Sequence, residues 1–235
     1  MDSTIPIFTK CHNCGKEKRL TTNEIYSTIG MRSYSDRYNF FPAGPPISEI
    51  QVCRECETPY LLRDVETREA DKPEDFDGDE ISTGRIPFVE VKALTLPYLP
   101  LPQNKSCELF LREEFLYSYN HAFRGLEADA FVDLEVEDDM VRTKEDEELH
   151  HKNLEAMIEI LESPESPFVE ERDLYLAELY RELGKFDKTI ELLKDFKSEN
   201  LFFENYAKQI RQKAMDKVST VFEFDQTGEK IMVVL

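Results

Sequence analysis

The chain has 235 residues, of which 40% are hydrophobic and 33% charged, enough for one large or two small domains with a thin core in which the 16 Phe and ten Tyr carry much of the buried area. A net charge of −20 repels phosphate backbones and makes general nucleic-acid binding unfavourable. The longest apolar run, Ile231–Leu235, is far too short to span a bilayer, and the start MDSTIPIFTK lacks the basic and apolar regions of a signal peptide, so a soluble, cytoplasmic protein without a membrane partner is expected.

The charge is uneven. Residues 1–63 hold seven acids and eight bases, whereas residues 108–235 hold 32 acids and 16 bases. Such a contrast suggests two modules with different roles.

In chain order, residues 5–10 read as a strand leading into Cys11. The stretch Phe41–Pro46 must be a loop, because its Pro and Gly residues break helix and sheet alike. Glu49–Val52 alternates polar and apolar and reads as a strand delivering the chain to Cys53. Residues 64–85 are acid-rich and read as a linker or exposed loop. Residues 86–93 (IPFVEVKA) read as a strand, and the prolines at 97, 100 and 102 make the next stretch extended and polyproline-like.

From Glu108 the period changes to three and four, with Leu111, Phe115, Tyr119, Ala122, Phe123 and Leu126. After a charge run over 133–148, a helix over about 145–162 carries Leu149, Leu154, Met157, Ile158 and Leu161. The next helix begins near Phe168 and stops at Gly184; another covers Phe186 to Phe196; a last one runs from about Phe203 to Val218 with Tyr206, Ala207, Ile210 and Ala214 on one face. The tail from Val221 reads as a hairpin turning at Gly228. The expected domains are therefore a ribbon-like module over 1–70, an acidic and Pro-rich connector over 71–107, a helical domain over 108–220 and a hairpin tail over 221–235.

The strongest chemical pattern is C-x2-C-x38-C-x2-C, formed by Cys11, Cys14, Cys53 and Cys56. Zinc prefers a tetrahedron of soft thiolates, and each C-x2-C turn puts two sulfurs on one side of the ion. Gly15 follows Cys14 where such a knuckle needs positive φ; Glu57 stands at the equivalent place in the second knuckle. One structural zinc ion is expected, since four protein ligands close the coordination sphere and a catalytic zinc keeps a position open. A redox-active dithiol is the alternative, but it calls for a CxxC opening a helix within a βαβ unit, which the pattern lacks. His12 could replace a ligand.

No catalytic set is legible. Cys107 reads as a small buried residue, His121 lies on an expected helix without a partner, and His150 and His151 read as solvated. The acids around Asp75–Glu80 alternate, but Gly78 falls between the second and third, so the calcium-loop match fails and the stretch reads as a solvated loop.

Residues 174–193 resemble a tetratricopeptide repeat through Ala177, Tyr180, Gly184 and Phe186. Thr189 and Phe196 stand where that family wants small residues, and its terminal proline is absent. One repeat cannot bury both its faces, so the helices over 145–162 and 203–218 are the expected flanking layers. Two CxxC pairs enclosing an aromatic-rich insertion with Arg32, Tyr34, Arg37 and Tyr38, followed by these helices, resemble an uncharacterised bacterial family of zinc-ribbon proteins with tetratricopeptide tails. That resemblance implies architecture: an α+β chain with an N-terminal zinc-ribbon-like β module and a tetratricopeptide-like α-helical domain.

The expected function is a non-enzymatic, zinc-stabilised interaction or scaffold protein whose acidic helical half takes a protein or peptide partner, a basic one being steered to it. The alternatives are a thiol-redox or metal-dependent enzyme, and nucleic-acid binding through Lys10, Lys16, Lys18 and Arg19 on the ribbon, with Arg32 and Arg37 beside tyrosines. Nothing in the sequence sets the oligomeric state.

Overall fold

The computed structural model describes residues 4–11, 13–23, 31–40, 50–53, 55–56, 59–62, 67–69, 80–81, 88–97, 99, 105–124, 141–166, 169 and 171–224. The strands in order are β1 (Thr4–Lys10), β2 (Glu17–Asn23), β3 (Arg32–Ser33), β4 (Asn39–Phe40), β5 (Ile50–Val52), β6 (Pro59–Leu61), β7 (Thr67–Glu69) and β8 (Glu80–Ile81). The helices are α1 (Phe88–Thr95), α2 (Lys105–Asn120), α3 (Lys144–Glu162), α4 (Arg172–Glu182), α5 (Phe186–Leu192) and α6 (Leu201–Met215), with a 3-10 turn at His121–Phe123 after α2. An N-terminal antiparallel strand pair and six helices among the described residues make the chain α+β, as expected. No helix among the described residues is long and apolar enough to cross a membrane.

The chain divides into two compact units: Met1–Met31 with Phe40–Leu94, and Arg32–Asn39 with Thr95–Leu235. Residues 32–39, which lie within the expected 1–70 module, are therefore part of the helical unit.

In the first unit β1 and β2 run antiparallel, from Thr4 opposite Asn23 to Lys10 opposite Glu17. β7 joins the free side of β1 antiparallel and β8 lies parallel to β2. β5 and β6 form a separate antiparallel pair. The strands expected at 5–10 and 49–52 are β1 and β5. Residues 64–85 correct the expectation of a linker, for they supply β7 and β8. Their polar composition conceals this because short edge strands are held by backbone bonds and need no apolar face. The expected strand over 86–93 is instead helix α1. Its β-branched content suggested extension, but Phe88, Val91 and Leu94 are buried at spacings of three while Val89 is 64% exposed, which is a helical face. The prolines at 100 and 102 and the loop at 41–46 lie outside the described residues.

In the second unit, α2, α3 and α4 share a core around Leu116, Leu154, Met157, Leu161 and Leu179. A further core joins α4, α6 and the stretch 221–224 around Leu174, Ala177, Ile210 and Phe224. Helix α4 belongs to both, and every residue from Leu174 to Glu182 is buried. It starts at Arg172, later than expected; α5 ends at Leu192 instead of 196; α6 runs 201–215. Thr189, at a position where the resembled repeat has alanine, is fully buried, and its hydroxyl donates to the Ala177 carbonyl at 3.0 Å. The threonine is thus satisfied against the neighbouring helix. Phe186 is half-buried.

Helix α3 starts with a capping box, in which the Thr143 hydroxyl accepts from the Asp146 N–H and the Asp146 carboxylate accepts from the Thr143 N–H. Gly184 ends α4 at φ +71, its N–H bonded to Arg181 O at 2.9 Å and the Lys185 N–H to Tyr180 O at 2.9 Å. A Cβ at Gly184 meets nothing within 4 Å, so Gly184→Ala is expected to cost only the left-handed backbone penalty, about 1–2 kcal/mol. Urea unfolding measures it.

The expected C-terminal hairpin lies outside the described residues beyond Phe224. Three of its first residues pair elsewhere: Glu223 bridges Tyr34, the Ser35 N–H donates to Phe222 O at 3.0 Å, and the Phe224 N–H donates to Ser33 O at 2.7 Å.

Candidate metal centre and a buried ion network

Lys10 ends β1, and the chain turns at once. The Gly15 N–H donates to Cys11 O and the Cys11 N–H to Lys16 O, both at 2.9 Å. Gly15 sits at φ +73, and a Cβ there would meet only the end of Lys10 at 3.7 Å; the glycine answers the backbone, not a lack of space. Cys53 follows β5 directly. The two turns bring the Sγ atoms of Cys11, Cys14, Cys53 and Cys56 within 4.8 Å of one another, with Cys11–Cys56 at 3.7 Å and Cys14–Cys53 at 3.5 Å.

Cys11 and Cys53 are buried, Cys56 is half-buried and Cys14 exposed. Tyr60 of β6 packs beneath them, its hydroxyl 3.1 Å from Thr9 Oγ1. Lys18 Nζ donates to Gln51 Oε1 at 2.8 Å, tying β2 to β5 beside the cluster. The Lys16 backbone favours the Cys14 thiolate, but desolvation and hydrogen bonds from Cys53, Cys56 and Cys11 outweigh it and push the thiol up to about 12. Four thiols this close resist ionising together, and a bound cation reverses that preference. The four cysteines could bind a metal ion. Cys11 follows β1 and Cys53 follows β5, and neither opens a helix among the described residues.

No family model, curated protein or solved structure matches the chain.

The helical unit holds a second polar assembly that the sequence reading missed. Asp36, fully buried, accepts a hydrogen bond from Arg124 Nη2 and another from Asn120 Nδ2 at 3.1 Å. Asn120 also donates to Glu182 at 3.0 Å, and His150 Nε2 lies 3.6 Å from the same Glu182 oxygen. Arg181 holds Glu178 through two bonds of 2.6 and 2.8 Å, and reaches Val218 O at 2.5 Å, Thr220 O at 3.0 Å and Ser35 Oγ at 3.4 Å. Arg124 also lies over the Tyr38 ring at 4.3 Å, and the His150 ring stacks on Tyr119 at 3.8 Å.

His150 thus corrects the expectation of a solvated residue: it is 5% exposed, whereas His151 is exposed. A cue was present. Asp146, His150 and Asn153 continue toward the N-terminus the three-and-four spacing of Met157 and Leu161, so they share the buried face of α3. Of the other singled-out residues, Cys107 is half-buried in α2, His121 lies in the 3-10 turn, and His12 and Asp75–Asp79 lie outside the described residues.

Two arginines serve three carboxylates here; burial pushes Glu178 up to about 7 despite its fork on Arg181, and Glu182 has no arginine fork of its own. Burial, then the charge of Asp36, pushes it up to about 7, against the pull of Arg181 and Asn120. Burial, then His151, pushes His150 down to about 3. The native chain holds a proton on Glu182 between about 4.5 and 7 that the unfolded chain has released. That contribution to stability is complete below 4.5 and is lost as pH rises through 7. His150 acts oppositely: its contribution is present above 6.5 and is lost as pH falls toward 3. Glu182→Gln keeps a neutral group among Asp36, Asn120, Glu178, Arg181 and His150. The gap in unfolding free energy between wild type and this variant is expected to change progressively between pH 4.5 and 7; a constant gap contradicts the assignment.

Proposed function

We propose that the chain is a non-enzymatic interaction protein, with one structural zinc ion held by Cys11, Cys14, Cys53 and Cys56 and a tetratricopeptide-like helical half that takes a basic protein or peptide segment. The observation that carries the zinc reading is the mutual approach of the four sulfurs. A tetrahedron with Zn–S bonds of ~2.3 Å has edges of roughly 3.8 Å, close to the 3.5 and 3.7 Å separations. Four thiolates fill the sphere and leave no position for a substrate. Such a set needs a reducing compartment, which favours the cytoplasm.

The helical reading draws on the central placement of α4, which packs against α3, α5 and α6, and on the left-handed Gly184 between α4 and α5. On α3, Glu145, Glu148, Glu155, Glu159 and Glu162 are exposed at helical spacing, with Lys152 the basic residue in that row. A row of this kind steers a basic segment toward the helix.

Metal analysis of purified chain is expected to give one zinc per molecule, with a tetrathiolate spectrum when cobalt replaces it. For the partner, capture at low salt with wild type and with a variant carrying Glu148→Lys, Glu155→Lys and Glu159→Lys compares the two. A specific basic partner should be lost from the variant. Absence of metal, or equal capture by both chains, rejects the corresponding half of the reading.

A further inference from the structure

We infer that the metal centre and the helical unit are coupled through residues 32–39, so that metal loading tightens the hold of this segment and the segment in turn strengthens metal binding. The inference rests on the reading of the cysteine cluster as a metal centre. Residues 32–39 lie inside the loop that a metal would close, with 15–31 on one side reaching back to Cys14 and 40–52 on the other reaching on to Cys53. Yet they belong to the helical unit, and they are held there as a ligand is held.

The segment turns on itself. The Tyr34 N–H donates to Tyr38 O at 2.9 Å and the Arg37 N–H to Tyr34 O at 3.0 Å, with Arg37 at φ +72. A non-glycine residue in that region is strained and persists only where its surroundings hold it. Those surroundings are extensive. Asp36 meets Arg124 and Asn120; the Ser35 hydroxyl accepts from the Phe222 N–H at 3.2 Å; the Tyr206 hydroxyl donates to the Ser35 carbonyl. Tyr34, Ser35 and Asp36 are each at most 2% exposed.

Docking also pinches the loop. β3 pairs with β4, and Ser33 Oγ donates to Asn39 Oδ1 at 2.7 Å. With the segment docked, both stems leave from adjacent points, so the two knuckles search a smaller volume for each other. Conversely, an ion joining the knuckles closes the loop and raises the local concentration of the segment at its site. Each event lowers the entropic cost of the other, and linkage makes the effect reciprocal.

The test uses the full chain. Zinc affinity is measured by competition with a chromophoric chelator for wild type, Asp36→Ala and the shape-preserving Asp36→Asn. Hydrogen exchange of the Ser35 and Phe224 amides is followed with and without zinc, against Leu161 in α3 as reference. Both variants are expected to bind zinc about fivefold or more weakly, the low end of ordinary coupling. Zinc removal should speed exchange at Ser35 and Phe224 by a similar factor and leave Leu161 unchanged. If one zinc binds equally to all three chains and exchange at Ser35 ignores it, the coupling is wrong while the metal centre stands. If no zinc binds, the metal reading fails and the coupling with it. Should both variants fail to fold, the exchange data on wild type decide.

Discussion

Removing the zinc proposed for the cysteine cluster is expected to unfold the first unit and leave the cores of the helical unit standing. The described core around the sulfurs is small, consisting of Cys11, Cys53 and Tyr60 with Cys56 and Leu62 against it. Structural zinc supplies on the order of 10–16 kcal/mol of apparent binding free energy in comparable sites, and three or four buried side chains at about 1.5–3 kcal/mol each cannot replace it once chain entropy is counted. Cys53→Ser, which removes a buried ligand, should therefore abolish stoichiometric metal and the exchange protection of β1 and β5. Cys107→Ser, in α2, should do neither. Amides inside α3 should stay protected in both variants. Metal-free protein that melts identically to loaded protein would refute the expectation.

The second large effect is expected at Arg181. Its guanidinium is fully buried and divides its donors among Glu178, two backbone carbonyls of residues 218–220 and Ser35, with the Phe222 ring 5.1 Å away. Arg181→Ala takes the fork from the Glu178 carboxylate and the guanidinium donors from those carbonyls in a dry interior. Breaking a buried pair from one side costs about 3–5 kcal/mol, which for a domain of this size lowers Tm by on the order of 10 °C. Arg181→Lys is expected to recover little, because an ammonium cannot reproduce the planar fork that grips Glu178 and the carbonyls together. A scanning calorimetry shift under about 2 °C for the alanine variant, less than 1 kcal/mol by the same conversion, would show that the network carries little of the stability.

The two effects are not equally legible in the sequence. The cysteine spacing carries its own chemistry: four thiols in two C-x2-C turns have few uses other than a metal, and Gly15 marks the turn where the backbone must go left-handed. The helices at 145–162 and 203–218 were legible because each shows apolar residues at three-and-four spacing on one face. Helix α4 is different. From Leu174 to Glu182 it has no solvent face, so its polar residues Glu178, Arg181 and Glu182 interrupt the apolar pattern without marking an exposed side. Only the surrounding elements, which bring Ser35, Asp36, Asn120, Arg124 and His150 to them, reveal a buried network.

Local chemistry therefore determined the two C-x2-C turns, the left-handed glycines and the one-sided helices, since each follows from residues a few positions apart. Tertiary structure alone decided the fate of 32–39, the helical state of 88–95 and the partners of His150. Each of these depends on which distant side chains arrive opposite, and burial of a charge is tolerable only when its counter-charge, here more than 80 residues away between Asp36 and Arg124, is delivered by the fold.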